Sequence, residues 1–328
     1  MKSRLIVLLT SLFLVACGDQ SGPSVSSVEN SPKKEKTQSV AQQERKRIAL
    51  VMKTLTNPFF VEMEKGARRA EKELGIELVV KNAAQETSIE QQIQMVEDAI
   101  SEKVDAIVIA PGDSHQVIPV LKKAQDRGIK VVNIDNRLDP EAARQAGLAR
   151  VPFVSVDNEK AAYEAARVLV SDVNRATDAL ILEGIRSAEN ARLRKQGAAR
   201  AFSENRHVRV VASESANWKI DEAYTTTQRI LAKHPDVKII FASNDMMGLG
   251  ALMYLQEGGK KNIRVGSYDA LPEAIAEIKA GRLTVTVDQQ AAEQGFQGIL
   301  LATRLLKGEK LEPTMLISTR LITAKSLP

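Results

Sequence analysis

Ile48 to Gly66, IALVMKTLTNPFFVEMEKG, joins a buried strand, a polar exit and two adjacent aromatic rings. Ile48 to Met52 is a continuous apolar run, the pattern of a strand covered on both faces of a parallel sheet. It ends in Lys53, Thr54 and Asn57. Pro58 then suits the first turn of a helix whose face carries Val61, Met63 and Ala67. The polar groups therefore fall at the carboxyl end of a strand, where open α/β sheets bind ligands. Aromatic residues are scarce, 7 Phe, 4 Tyr and 1 Trp in 328 residues, yet Phe59 and Phe60 stand side by side. Two readings of the pair are open: both rings fill the core, or one of them offers its face as a stacking platform for a sugar.

Working outward, apolar runs recur at Ile76–Val80, Ala106–Ala110, Val131–Ile134, Phe153–Val156, Ala179–Leu182, Val208–Ala212, Ile239–Ala242, Ile263–Gly266 and Leu283–Val287. Amphipathic helical stretches lie between them, among them Ile89–Ile100, Val117–Arg127, Ala161–Val170 and Ala223–Lys233. Strands alternating with helices imply βαβ units and parallel sheets, and the length suffices for two lobes with separate cores. Gly75, Gly128 and Gly281 each follow a helical stretch, where a left-handed cap is expected. Several runs exit directly into polar residues: Asp135-Asn136, Asn244-Asp245, Asp269 and Asp288-Gln289-Gln290. Any one of these suits a helix cap or a turn. Their recurrence at successive strand ends points to one cleft.

The amino-terminal segment reads differently. Lys2 and Arg4 precede the apolar runs Leu5–Leu9 and Leu12–Ala16, and then comes Cys17, the only cysteine, so no disulfide can form. A charged start and a short apolar stretch read as an export signal over residues 1–16, too short to span a membrane as a stable helix. Leu14-Val15-Ala16-Cys17 resembles the bacterial lipobox, in which the cysteine is acylated. Residues 17–46 are rich in Gly, Ser, Pro, Gln and Lys and poor in apolar side chains, as expected of a flexible tether. A tether of that length would span about 30 Å on average. Residues 1–47 hold eight basic and four acidic side chains, so +4 of the formal net charge of +5 sits there and +1 remains for the body. A nearly neutral body gives no electrostatic reason to expect nucleic acid as a partner.

The body resembles a periplasmic sugar-binding protein of the ribose and allose type, the soluble receptors of bacterial ABC importers. The resemblance runs from Ile48 to Leu321. It rests on Lys53-Thr54-Leu55-Thr56-Asn57-Pro58-Phe59-Phe60, Asn133-Ile134-Asp135, Val156-Asp157-Asn158, Leu182-Glu183-Gly184, Ala191-Arg192-Leu193-Arg194, Ala216-Asn217-Trp218, Ala242-Ser243-Asn244-Asp245, Gly266-Ser267-Tyr268-Asp269, Thr286-Val287-Asp288-Gln289 and Leu306-Lys307-Gly308-Glu309-Lys310. It implies an α/β fold of two Rossmann-like lobes with parallel sheets joined by a three-strand hinge, the type I periplasmic binding protein fold. The first lobe would comprise 47–156 and 290–318, the second 157–289 and 319–328, with crossings near Val156, Gln289 and Ser318. Lobes of this kind close over a ligand by hinge motion.

The same resemblance implies a binding site. A sugar has polar hydroxyls on its rim and apolar C–H faces, so aromatic rings belong above and below it and hydrogen-bonding groups around its edge. Phe59 or Phe60 on one lobe and Trp218 on the other would supply the sandwich. Asp135 and Asp269 would accept hydroxyl protons, with Asn57, Arg194, Asn244 and Gln289 completing the rim. Without the resemblance, Arg194 reads as part of a solvated basic helix face with Arg192, Lys195 and Arg200. Two departures bear on the ligand. Ribose receptors usually carry Asp-Arg where this chain has Asp135-Asn136, and a small hydroxyl residue where Lys53 stands. Lysine at this position is the allose-receptor pattern, so the chain leans toward a hexose or similar polyol, with Lys53 and Asn136 among the ligand contacts and a pentose still open.

The expected product is a lipid-anchored extracytoplasmic receptor, in the periplasm or at the cell surface, that binds a monosaccharide and serves an ABC permease. It would need no cofactor and no metal, and would touch the membrane only through its anchor. A second role is open: presenting a sugar-like signal or cyclic polyol, such as inositol or a signalling furanose, to a chemoreceptor or sensor kinase. Sugar-responsive repressors of this fold begin with a helix-turn-helix segment, which is not the pattern here. Enzymatic chemistry has little support, since His115, His207 and His234 lack metal spacing and Thr54-Leu55-Thr56 and the scattered glycines form no phosphate loop.

Overall fold

The computed structural model describes residues 45–149 and 151–327; the signal, the acylated cysteine and nearly all of the tether expected from the sequence lie outside them. The first sheet begins with β1 (Arg47–Thr54), α1 (Pro58–Leu74), β2 (Glu77–Ala83), α2 (Ile89–Ser101), β3 (Ala106–Ile109), α3 (Ile118–Asp126), β4 (Lys130–Ile134), α4 (Pro140–Gln145) and β5 (Phe153–Ser155). The chain continues through α5 (Asn158–Val170), β6 (Thr177–Glu183), α6 (Glu189–Ser203), β7 (Val208–Ser215), α7 (Ile220–Lys233), β8 (Val237–Ala242), α8 (Asp245–Glu257), β9 (Arg264–Gly266), α9 (Pro272–Lys279) and β10 (Val285–Asp288). It closes with α10 (Ala291–Leu306), β11 (Thr314–Leu316) and β12 (Arg320–Thr323).

These strands form two six-stranded sheets, ordered β11-β5-β4-β3-β1-β2 and β12-β10-β9-β8-β6-β7. Every pairing is parallel except β12 on β10. The chain moves from the first sheet to the second after β5, returns after β10, and crosses again between β11 and β12. In each sheet the strand order reverses at one strand: β1 has β2 on one side and β3 on the other, and β6 lies between β7 and β8. A crevice opens above the carboxyl ends of the strands at such a point.

The continuous apolar runs read as expected for two-sided burial. Along β1, Ile48, Leu50 and Met52 join one core and Ala49 and Val51 the other. Along β6, Leu180 and Leu182 face one core and Ala179 and Ile181 the opposite one. Gly75, Gly128 and Gly281 all have positive φ at helix ends. Among the described residues, no helix is long and apolar enough to cross a membrane.

Two local readings are corrected. α1 buries Phe60, Met63, Ala67 and Ala70, whereas Val61 is 36% exposed. Successive residues turn by about 100° in a helix, so positions two apart cannot share a face with those three and four apart. The sequence runs also omitted β11 and β12, short strands of half-buried and exposed residues that carry no continuous apolar signal.

In the first lobe α1 lies against α10 with the backbones nearly touching. A Cβ on Gly66 would sit 1.7 Å from the Ala292 carbonyl oxygen, and one on Gly295 2.1 Å from that of Met63. Such space cannot be found by moving a side chain. Gly66→Ala and Gly295→Ala should each destabilise the protein by about 1–3 kcal/mol. The double variant should lose less than the sum, because helices already forced apart accommodate the second methyl. Urea denaturation of the three variants checks both expectations.

Candidate functional site

Between the lobes lies a cavity with about 230 Å³ of empty space, lined by Lys53, Asn57, Phe59, Phe60, Glu86, Asp135, Asn190, Arg194, Trp218, Asn244, Asp269 and Gln289. The structure thus brings together ten of the eleven residues that the sequence suggested for a ligand. It leaves out Asn136 and adds Glu86 and Asn190.

On the first lobe, Lys53 leaves the end of β1 with its side chain only 2% exposed. Its ammonium lies 2.8 Å from Asp135 Oδ2 and 3.9 Å from a Glu86 oxygen. The Asp135 contact misses hydrogen-bond geometry, so it is an ion pair rather than a directed bond. Asn57 caps α1, accepting from the Phe59 amide at 3.1 Å, and turns its Nδ2 to Glu86 Oε1 at 2.8 Å. Burial is the main influence on Glu86 and raises its pKa, while Lys53 and Asn57 favour the ionised form. Phe59 and Phe60 meet edge to face, centroids 5.0 Å apart, and both line the cavity. Lys53 lies 5.4 Å from the centroid of Phe60.

On the second lobe the matching cation is Arg194, from α6. Its guanidinium donates to Asn158 Oδ1 at 2.8 Å, the Ser243 carbonyl at 2.9 Å and Gln289 Oε1 at 3.2 Å. It stacks on Tyr268, 3.8 Å from the ring centroid, and pairs with Asp269 at 3.6 Å. Gln289 Nε2 donates to Asp269 Oδ1 at 2.6 Å. Burial drives the Asp269 pKa well up; Arg194 opposes it and the nearby Asp245 carboxylate adds to it. Arg194 is therefore a buried hub and not part of a solvated face.

Three of the key side chains stand on strained backbone. Asp135, Trp218 and Asp269 have φ of 62°, 67° and 127°, a region that side-chain-bearing residues rarely adopt. The Trp218 ring rests on Gly184, where a Cβ would lie 2.1 Å from a ring carbon, so this position must stay bare. Asn244 caps α8 through the Met247 amide at 2.9 Å and donates to the Trp218 carbonyl at 3.3 Å. Behind Asp269, buried Asp245 accepts from the Leu271 amide and from Thr286 Oγ1, both at 2.7 Å, and from Ser267. Thr286 also accepts from the Ala270 amide at 3.2 Å. These bonds fix the strained Asp269-Ala270 turn.

Asn136 has another role. It is fully buried beside the cavity, donates to the Pro111 carbonyl at 3.1 Å and accepts from the Asn190 amide at 3.2 Å, so its amide is spent on protein partners. Glu86 was missed because β2 runs on through Lys81, Asn82 and Ala83, placing its polar exit six residues past the apolar run that ended at Val80. Asn190 sits in the first turn of α6 and resembles an ordinary polar helix start. No signal short of the fold separates it from one.

Burial pushes the Asp245 carboxyl up to about 6, against its hydrogen-bond donors and Arg194. A carboxyl with a raised folded-state pKa resists ionisation in the native state. Its contribution is therefore full below the unfolded value near 3.8 and is lost as pH rises through about 6. Relative to Asp245→Asn, the wild type should lose stability, on the order of 1–3 kcal/mol, between about pH 3.5 and pH 7.5. Urea denaturation of both proteins across that range measures the difference; a gap that widens in favour of the wild type with rising pH would contradict it.

A family model described as "Periplasmic binding protein domain" matches residues 48–310. The D-ribose/D-allose-binding protein of Pseudomonas aeruginosa is 40% identical over 82% of this chain and 85% of its own length. The D-allose-binding periplasmic protein of Escherichia coli K12 is 31% identical over 81% and 86%. Among solved structures, an ABC transporter periplasmic solute-binding protein of Actinobacillus succinogenes 130z with bound D-allose superposes with a TM-score of 0.81 at 36% identity, covering 86% of this chain and 98% of that one. With two parallel-sheet lobes, three crossings and a polar cavity between them, the chain belongs to the periplasmic binding protein family, the non-enzymatic solute receptors of ABC importers.

Proposed function

We propose that the protein binds one monosaccharide in the cavity between its lobes, preferring a hexose of the allose type over ribose, and delivers it to an ABC permease. One observation carries this reading. Asn190 Oδ1, on a residue lining the cavity, is buried without a hydrogen-bond partner in the protein, and Asp135 Oδ2 has only its ion pair. Buried polar groups are rarely left so. Sugar hydroxyls both donate and accept, and can serve an amide oxygen and a carboxylate at once. The names of the relatives from P. aeruginosa and E. coli, and the D-allose held by the A. succinogenes protein, agree with this.

In this reading Phe59 and Phe60 cover one sugar face and Trp218 the other. Asp135 and Glu86 on the first lobe and Asp269 on the second accept hydroxyl protons. Lys53, Asn57, Asn190, Arg194, Asn244 and Gln289 complete the edge. Lys53, Glu86 and Asn57 meet in one corner of the cavity; in this reading that corner would receive the extra hydroxymethyl of a hexose, which would favour allose over a pentose.

Calorimetry with D-allose, its epimers, D-ribose and myo-inositol tests the reading. D-Allose should bind more tightly than D-ribose; the reverse order removes the hexose preference. If no sugar or cyclic polyol binds or raises the melting temperature, the site reading fails. Asp269→Asn, which keeps the shape and removes the charge, should weaken binding by about 10- to 100-fold through its charge-assisted bonds. Trp218 is the only tryptophan, so its fluorescence gives a second readout.

We further assign the membrane anchor to Cys17 of Leu14-Val15-Ala16-Cys17. Cys17→Ser should shift the protein from the membrane fraction to the soluble fraction, as read by blotting the two; a protein whose distribution does not change has no anchor there.

A further inference from the structure

Helix α6 begins in the second lobe without a cap of its own. Its N-cap residue is Ala188, extended at φ −91° and ψ 131°, with no side chain able to accept from the first turn. Helix starts leave N–H groups that need acceptors. Here the acceptors come from the other lobe. The Glu189 amide donates to Ser114 Oγ at 3.0 Å, and the Asn190 amide to Asn136 Oδ1 at 3.2 Å. The Ser114 amide donates in turn to the Ser187 carbonyl at 3.2 Å. Ser114 follows β3 and Asn136 follows β4, both strands of the first sheet, whereas residues 187–190 follow β6 of the second.

The two acceptors are fixed before they meet the helix. Asn136 Nδ2 donates to the Pro111 carbonyl at 3.1 Å and lies 3.4 Å from Ser114 Oγ, and Asn133 Nδ2 donates to the Asn136 carbonyl at 2.8 Å. Ser114 and Asn136 are fully buried. Neither lines the cavity.

We propose that Ser114 and Asn136 cap α6 in trans, forming a latch between the lobes that exists only when they are closed and that sets the closed-to-open balance without touching the ligand. The inference rests on the reading that a sugar is held between closing lobes. On opening, the α6 amides and both acceptors return to water, so the latch adds to closure only the surplus of a made cap over a hydrated one. Affinity for a ligand that needs the closed form then scales with the fraction of closed protein. Ser114 and Asn136 are positioning residues. They hold the start of α6 against the first lobe.

The test uses the full chain, with D-allose and D-ribose as probes. Asn136→Ala and Ser114→Ala should each weaken D-allose affinity by about 3- to 30-fold, the effect of a lost cap, mainly through faster dissociation followed by Trp218 fluorescence. The ratio of D-allose to D-ribose affinity should stay that of the wild type, since neither residue meets the sugar. Small-angle scattering without sugar should show a larger radius of gyration for the variants. Ala188→Ser gives α6 a cap in cis, which persists when the lobes open, so in that background Asn136→Ala should cost less than it does alone.

Variants that match the wild type in both affinity and unliganded radius of gyration overturn the latch. So does a loss of affinity that comes with a changed sugar preference, or one that Ala188→Ser leaves undiminished. If the wild type binds none of the sugars, the reading of the site fails, and scattering alone decides the latch: a larger radius for Asn136→Ala upholds it and an unchanged one sinks it.

Discussion

Lys53 and Arg194 are cations buried in opposite walls of one cleft, and a buried cation is tolerated only when anions and hydrogen-bond acceptors meet it. That constraint organises the rest of the site. Lys53 requires Asp135 and Glu86; Arg194 requires Asp269, Gln289, Asn158 and the Ser243 carbonyl. To put carboxylates where the cations are, the backbone adopts left-handed conformations at Asp135 and Asp269, each costing about 1–3 kcal/mol, and the surrounding structure must over-determine them. Asp245 and Thr286 do this for the Asp269 turn. The charges are thus held in advance of any ligand, so little is spent on ordering them when one arrives.

Much of this could be read from the chain alone, for physical reasons. A parallel strand buried on both faces must be apolar throughout, so the runs beginning at Ile48, Ala106, Val131 and Ile239 announce themselves. Where a strand leaves the sheet its polar groups become visible, as at Lys53, Asp135, Asn244 and Asp269. The signal fails where the strand end is itself polar. Lys81 and Asn82 continue β2 past its apolar part and hide the exit that carries Glu86. It also fails between neighbours in one exit. Asp135 lines the cavity and Asn136 does not; Asn244 does and Asp245 lies behind the adjoining turn. Which of two adjacent residues faces a cleft depends on one backbone dihedral, and at Asp135 that dihedral is left-handed.

Contacts across the cleft are the least legible. Ser114, Asn136 and the start of α6 each look like ordinary turn or helix-start residues, and Ala188 looks like nothing at all. Their meaning is joint. An N-cap position filled by alanine is a deficit only beside the lobe that makes it good, and that lobe comes from sequence more than fifty residues away.

This division of labour bears on how such a receptor can change its ligand. In the proposed site, rim residues such as Lys53, Asp135 and Asp269 would act on the sugar's hydroxyls, so substitutions there would alter which sugar is held. A trans cap acts on closure alone, so substitutions there alter how tightly every sugar is held. Asn136 stands at the boundary: Asp135 before it lines the cavity, while Asn136 itself turns its amide to α6. A side chain there without an amide oxygen would leave the Asn190 amide without that acceptor. The cation on this wall of the cavity comes instead from Lys53 at the end of β1.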